Sequence, residues 1–377
     1  MTSLRKFTKR FFILLNIVVG VLFLLACCNA FLHPDKWWMV ALLAFFFPLF
    51  LLILVVFLIF WIFVRPHYIL ISLISLLAGW KNIHAFFGFN PAGHDFTHKD
   101  SANIRILTWN VRSWDEFTTK KIGASRHRLP MLELVGKQNA DILCFQEFYE
   151  PADTLRSNIR YIQKQLQFPF FFFSRDFHSR SNKYETGVII FSKFPIVSSS
   201  QTFFKSDIIQ KTESLIAADI NVNGNIIRVF TTHLQSVLFK QKDFRNVEIV
   251  RNAEDSILQA SRSLAKKLKD ALGLRGYQAD TVRRQLDASP YPLVICGDFN
   301  DVPNSYTYFH IRGNLQDAFI AKGFGIGRTY IHISPTLRID YILPSRNFLI
   351  IQSMNLTSPY SDHYAVLTDL QLQDRKF

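Results

Sequence analysis

Two stretches near the start of the chain, Phe11 to Leu32 and Trp37 to Val64, contain no charged residue. Each exceeds the roughly 20 apolar residues that a helix needs to cross a bilayer. In hydrocarbon, an open chain must satisfy its backbone polar groups internally, so such runs are helices or nothing. We read membrane spans over about 11–32 and 37–64. A third apolar run, Tyr68 to Trp80, is shorter and reaches spanning length only with Asn82 to Phe89 added past Lys81. A span over about 68–87 is the third expectation. Arg5, Lys6, Lys9 and Arg10 precede the first run and keep the N-terminus on the cytoplasmic side. If the third run crosses, all that follows lies outside; if it re-enters, the rest is cytoplasmic. Three crossings are the expectation. Leu24-Leu-Ala-Cys27 resembles a bacterial lipoprotein cleavage box, which the second run would make redundant. A cleaved signal peptide has a shorter apolar core than the first run.

The remainder is different in kind. Net charge is +14, and residues from 96 onward hold 36 Lys and Arg against 27 Asp and Glu, hence +9. A basic part suits phosphate-bearing partners or an anionic membrane surface, and equally serves solubility. Cys27 and Cys28 fall in the first run, and Cys144 and Cys296 in strand-like runs, so no disulfide framework or zinc spacing is present. Polar residues 90–103, with Pro91, Gly93 and Asp100, read as a linker between a membrane anchor, 1–89, and a domain, 104–377.

In that domain strand-like and helix-like segments interleave. Strands are expected at Ile104–Val111, Asp141–Gln146, Phe168–Ser174, Thr186–Phe191, Leu293–Gly297, Leu337–Leu343 and Ala365–Leu372. Helices are expected at Leu129–Gln138, Leu155–Gln167 and Asp243–Leu272. Ser214–Val222 and Ile226–Thr232 read as a hairpin turning at Asn223-Gly224. This alternation predicts an α/β domain with mixed sheets. The long helical region sets Ile257, Ala260, Leu264, Leu268 and Ala271 on one face and Arg262, Lys266, Lys267 and Lys269 on another. That basic face is a solvated surface, or one held to phospholipid headgroups or nucleic acid.

Six strand-like runs end or begin in polar groups: Thr108-Trp109-Asn110-Val111, Cys144-Phe-Gln-Glu147, Thr231-Thr232-His233-Leu234, Cys296-Gly-Asp298-Phe-Asn300, Arg338-Ile-Asp340-Tyr and Ser361-Asp362-His363. Singly, each is a cap, a turn or a satisfied histidine. Asp298 and Asn300 would share a face if the strand continued through them. Together, four carboxylates, two amides and two histidines have no use in a core.

In this order WNV, QE, THL, GDFN, RIDYIL and SDH resemble the endonuclease/exonuclease/phosphatase superfamily, which includes deoxyribonuclease I, apurinic endonucleases, neutral sphingomyelinases and inositol-polyphosphate 5-phosphatases. The resemblance covers about Ile104 to Leu372. It implies a deoxyribonuclease I-like four-layer sandwich: two mixed sheets face to face, helices outside, the site at one sheet edge. It also implies hydrolysis of a phosphoester, where a hard divalent ion relieves the repulsion of the nucleophile and the charge on the leaving oxygen. By the resemblance Glu147 is the principal Mg2+ ligand (Mn2+ a substitute), with Asn110 and Asp362 as its supporting ligands. His363 acts on the scissile phosphate with Asp340 fixing its tautomer, and Asp298 orients or deprotonates the water. Whether Asp298 or His363 is the base stays open. Asn300 and His233 donate to the phosphoryl oxygens.

Arg112 stands where some family nucleases carry a further acidic ligand, and could instead meet a phosphate. Tyr184 to Pro195 resembles the family strand ending in Ser-Lys-x-Pro. The expectation is a membrane-anchored phosphoesterase, multi-pass in a bacterial inner membrane with its domain on the periplasmic side. Its substrate is nucleic acid or a phospholipid or sphingomyelin headgroup. An inositol-phosphate phosphatase and a non-catalytic binding module are the alternatives.

Overall fold

The computed structural model describes residues 3–91, 99–117, 125–204, 214–236 and 257–373. The chain divides into two compact units: Met1–Phe86 with Ser236–Ala279 and Val302–His310, and Phe87–Gln235 with Asp280–Asp301 and Ile311–Phe377.

The first unit begins with helices α1 (Ser3–Cys27), α2 (Trp38–Val64), α3 (Ile69–Ala78) and α4 (Trp80–Phe86). Both α1 and α2 are long and apolar enough to cross a membrane, while α3 and α4 meet at a 63° bend. Pro48 lies inside α2, tolerated because neighbouring helices shield the freed backbone. Helix α3 runs beside α1 in the same direction. The Lys9 ammonium sits 5.2 Å from the Tyr68 ring centroid. Further along, Ser72 Oγ donates to Asn16 Oδ1 at 3.0 Å. At the far end Asn82 Nδ2 donates to the Cys27 carbonyl at 3.4 Å. Small and polar residues at such an interface let backbones approach and hydrogen-bond.

This unit also holds most of α7 (Ile257–Asp287) and most of α8 (Tyr306–Arg312). The α1–α2 loop rests on them. Tyr277 Oη donates to Asp35 Oδ2 at 2.9 Å, and the His33 ring lies 4.8 Å from Tyr277 and 5.0 Å from Tyr306. Gly276 makes this approach possible, since a Cβ there would fall 2.7 Å from Pro34 Cγ. The expected helix Asp243–Leu272 is thus described from Ile257 and continues fifteen residues past Leu272 to Asp287. Its part at 243–256, and the side chains of Ile257 and Ala260, lie outside the described residues.

Among the described residues the second unit carries fourteen strands: β1 (Gly88–Phe89), β2 (Ile104–Asn110), β3 (Ile142–Pro151), β4 (Phe170–Phe173), β5 (Phe177–His178), β6 (Tyr184–Ser192), β7 (Ile196–Phe203), β8 (Ser214–Val222), β9 (Asn225–His233), β10 (Leu293–Asp298), β11 (Phe324–Gly325), β12 (Asp340–Pro344), β13 (Phe348–Leu356) and β14 (Ala365–Leu372). One sheet orders β13-β14-β2-β3-β6-β4, with β5 also on β6; the other orders β12-β10-β9-β8-β7. Both are mixed: β2 pairs parallel with β3, and β10 parallel with β9, among antiparallel neighbours.

Period-two patterning explains the layers. Ile104, Ile106, Ile142, Cys144, Val188 and Ile190 of the first sheet pack into one cluster with Ile216, Ala218, Ile220, Val229, Val294 and Cys296 of the second. The alternate residues Leu107, Trp109, Leu143, Phe145, Ile189 and Phe191 form the opposite core with Met131, Leu132 and Val135 of α5 (Arg128–Gly136) and Ile159 and Ile162 of α6 (Asn158–Gln165). Val282 and Leu286 of α7 are also buried. The architecture is the four-layer sandwich, with α9 (Ala318–Lys322) in a connection. The sheets are stitched by polar bonds as well. Gln146 Nε2 on β3 donates to Thr231 Oγ1 on β9 at 2.9 Å and to Thr108 Oγ1 at 3.0 Å.

Candidate active site

Parallel pairing brings the ends of β2, β3, β9 and β10 to one rim, and the start of β12 joins them because Asp298 faces Asp340 in the antiparallel register. Asp298 also faces His233 across β10 and β9. Local backbone then aims each group. The β3–β6 register slips between Phe145 and Phe148, a bulge that leaves Glu147 at φ 50°. A bulge re-aims the side chain it carries. Here Gln146 stays buried and Glu147 turns to the rim, 38% exposed at its side chain. At the next strand, Gly297 has φ 138°, and a Cβ there would sit 2.2 Å from the Thr232 carbonyl oxygen. Only glycine lets β10 pass β9 so closely before presenting Asp298.

The strand runs through Asp298, one residue beyond the expected end, and stops there. Asn300, at φ 52°, donates its backbone N–H to Asp298 Oδ1 at 2.8 Å. This side-chain turn breaks the strand geometry, so Asp298 and Asn300 do not alternate as strand residues. The Asn300 side chain donates through Nδ2 to the Leu234 carbonyl at 2.9 Å.

Asn110 is the hub. Its Nδ2 donates to Glu147 Oε1 at 3.1 Å and to Asp298 Oδ2 at 3.0 Å. Its Oδ1 accepts from the Arg112 N–H at 3.0 Å. Two carboxylates from separate sheets thus converge on one amide. His233 Nε2 stands 3.5 Å from Asp298 Oδ2 and 4.0 Å from Glu147 Oε1. His363 Nε2 stands 3.7 Å from Asp298 Oδ2, and its Nδ1 is 3.0 Å from Asp340 Oδ2. Asp298, Asp340 and His363 are buried, with ligand-capable atoms all within 4.8 Å of one another. Asp362 sits farther out, 3.6 Å from Arg112 Nε.

The electrostatics follow from this crowding. Burial opposes charge on His363, but the carboxylates of Asp340, Asp298 and Asp362 outweigh it and push the imidazolium up to about 10. Burial lifts the Asp340 carboxyl, and the His363 charge opposes that rise.

Two neighbours carry no sequence signal. Thr329 Oγ1 accepts from the backbone N–H of Ile339 and Asp340 at 2.9 and 3.1 Å, fixing the start of β12. The Tyr330 ring lies 4.9 Å from His363, and the two residues form a β-bridge. Burial, then Asp362 and Asp298, raise the Tyr330 hydroxyl above its usual range. Arg112 to Asp115 are four successive non-glycine residues with φ between 46° and 61°. Such a left-handed turn is costly. It carries Arg112 to Asp362, and Asp115 accepts from His127 Nδ1 at 3.1 Å.

A model of the Endonuclease/Exonuclease/phosphatase family matches residues 107–363, more than half of the chain. The chain belongs to that family. Its catalysts are phosphoesterase hydrolases, and this chain is of that enzyme class. The family match begins inside β2 and ends on His363, so it encloses every residue of the rim. Residues 9–86 match a separate model, a domain of unknown function, DUF8431. No curated protein matches the chain.

Among solved structures the chain is similar to an endonuclease/exonuclease/phosphatase from Beutenbergia cavernae DSM 12333, with 18% identity, TM-score 0.51 and 72% of each chain covered. It is also similar to the human Nocturnin catalytic domain with bound sulfate anion, with 18% identity, TM-score 0.51, and 73% of this chain and 97% of that one covered. These likenesses show the fold.

Members of the family use a divalent metal, and the donor set here fits one. Glu147 and Asp298, from the two sheets, point oxygens at the same amide, and oxygen ligands of this hardness suit Mg2+ or Mn2+. Asn110 turns nitrogen, not oxygen, toward them.

Proposed function

We propose that the chain is a membrane-anchored, Mg2+-dependent phosphoesterase that cleaves a phosphodiester or phosphomonoester by in-line attack of water. The observation that carries this reading is the convergence of Glu147 and Asp298 on Asn110, next to the His363–Asp340 pair. Glu147 is the principal ligand for the cation. Asn110 supports it through the hydrogen bond to Oε1, and Asp362 is the further acid. The bound cation supplies charge neutralisation at the phosphate and the leaving oxygen.

The residues of the chain do the rest. Asp298, held at Oδ1 by Asn300 and at Oδ2 by Asn110, orients the water and takes its proton as the new O–P bond forms. The carboxylates of Asp340 and Asp298 outweigh burial and favour the imidazolium, so His363 is assigned as the acid rather than the base. It donates to the phosphoryl or leaving oxygen as the P–O bond breaks, while Asp340 holds its Nδ1. His233 and Asn300 are donors to the non-bridging oxygens, where charge grows in the transition state. Hydrolysis of bis-p-nitrophenyl phosphate by detergent-solubilised protein tests this. Activity that disappears with EDTA and in Glu147→Ala and His363→Ala is expected. Wild-type rates in both variants would refute the assignment. Plasmid, sphingomyelin and an inositol phosphate, run in parallel, separate the substrate classes; anchoring brings lipid headgroups within reach of the domain.

The division into anchor 1–89, linker 90–103 and catalytic domain 104–377 belongs to this proposal, although 92–98 lie outside the described residues. So does placement of the domain outside the cytoplasm. Helix α3 follows α1 from Lys9 beside Tyr68 to Cys27 beside Asn82, which supports a third full crossing over a re-entrant loop. Independently, the α1–α2 loop bonds to Tyr277, so that loop and α7 share one side. With Arg5, Lys6, Lys9 and Arg10 inside, that side is the outer one.

A further inference from the structure

The basic face of α7 was left open by the sequence, and the contacts of the α1–α2 loop give it a direction. Gly273, Gly276 and Tyr277 meet the loop residues Pro34 and Asp35. At 100° per residue, Arg262, Lys266 and Lys269 project within about 40° of the direction of Gly273. They therefore lie on the same face of the helix as the loop contact. Arg262, Lys266 and Lys269 are exposed. Their stripe starts one turn before Gly273, at Lys269, and extends about 10 Å along the axis to Arg262. Asp270 is also exposed and lies at the flank of the stripe.

The loop caps the short connection between two membrane-length helices, Cys28 to Trp37. A face that rests on this connection looks toward the bilayer plane. We propose that Arg262, Lys266 and Lys269 of α7 form a docking surface for the phosphates of anionic phospholipid headgroups, on the leaflet that the α1–α2 loop reaches. Charge complementarity and continuity with the loop contact select lipid over nucleic acid. A polyanion from solution would need a face turned away from the membrane. Lysine and arginine stems reach such headgroups while their charges stay hydrated. The surface rests on α1 and α2 being spans and is independent of the hydrolytic reading.

The test uses the full chain in nanodiscs of phosphatidylcholine alone or with phosphatidylglycerol. Lysines are acetylated with a water-soluble reagent and quantified by mass spectrometry, with exposed Lys164 on α6 as internal reference. Lys266 and Lys269 should react about threefold or more slowly, relative to Lys164, in the anionic discs. High salt should abolish the difference. In Arg262→Glu/Lys266→Glu, Lys269 should lose its protection while hydrolysis in neutral discs is unchanged. Equal reactivity in both discs would overturn the proposal. So would an oligonucleotide that shields these lysines in neutral discs more than phosphatidylglycerol does, which would assign the stripe to nucleic acid. A chain that stays out of the discs overturns the membrane reading and this surface with it.

Discussion

At the scale of single residues the site depends on which atom faces which. Asp298 and His363 were legible because an acid and an imidazole at strand ends are costly to bury without purpose. The orientation of Asn110 was not legible. An amide offers both a donor and an acceptor, and only folding shows that nitrogen faces the two acids. Tyr330 and Thr329 were invisible for another reason: they reach His363 and Asp340 from an irregular segment with no strand signal. The proton on His363 has a consequence. Its folded value is raised to about 10, so it stays charged across neutral pH and loses its proton only as pH rises toward that value. The kcat/KM profile should therefore show no histidine-type decline between pH 6 and 8. Asp340→Asn removes the anion that holds the proton, should move that decline down into the neutral range, and should lower kcat by about 10²-fold. An unchanged profile in the variant would mean that Asp340 does not control the proton.

At the scale of elements, regular segments were read well and irregular ones poorly. Ala365–Leu372 matches β14 end for end, and the hairpin turns at Asn223 and Gly224, both at positive φ. These segments carry strict alternation or a turn signature. Strand β7, with three serines and mostly exposed residues, gave no such signal because it is an edge strand. The β3 bulge was also hidden, since a slipped register leaves no mark in composition. Yet the bulge is what separates buried Gln146 from Glu147 at the rim. The β9–β10 crossing makes a sharper demand. Gly297→Ala places a methyl against the Thr232 carbonyl and at a φ that L residues avoid. It should destabilise the domain by about 3 kcal/mol or more, read as a fall in the unfolding midpoint. A variant as stable as the parent would show that β10 has room to shift.

At the scale of the whole molecule, the sequence reads as an anchor and a domain by their charge, because hydrocarbon tolerates no other composition. It could not decide the third crossing, since Lys81 interrupts the run and a bend of 63° divides it. Alkaline phosphatase fused after residue 100 should be active, as an outer domain requires; an inactive fusion with normal expression would put the domain in the cytoplasm. The central claim is that chain segments more than a hundred residues apart build one cation site at the sheet rim. Mn2+ titration of the chelated protein, followed by electron paramagnetic resonance with Mg2+ as competitor, reads that site directly. The account predicts Mn2+ binding that Mg2+ displaces and that Glu147→Ala weakens at least about tenfold; binding by Glu147→Ala as tight as by the parent chain would contradict it.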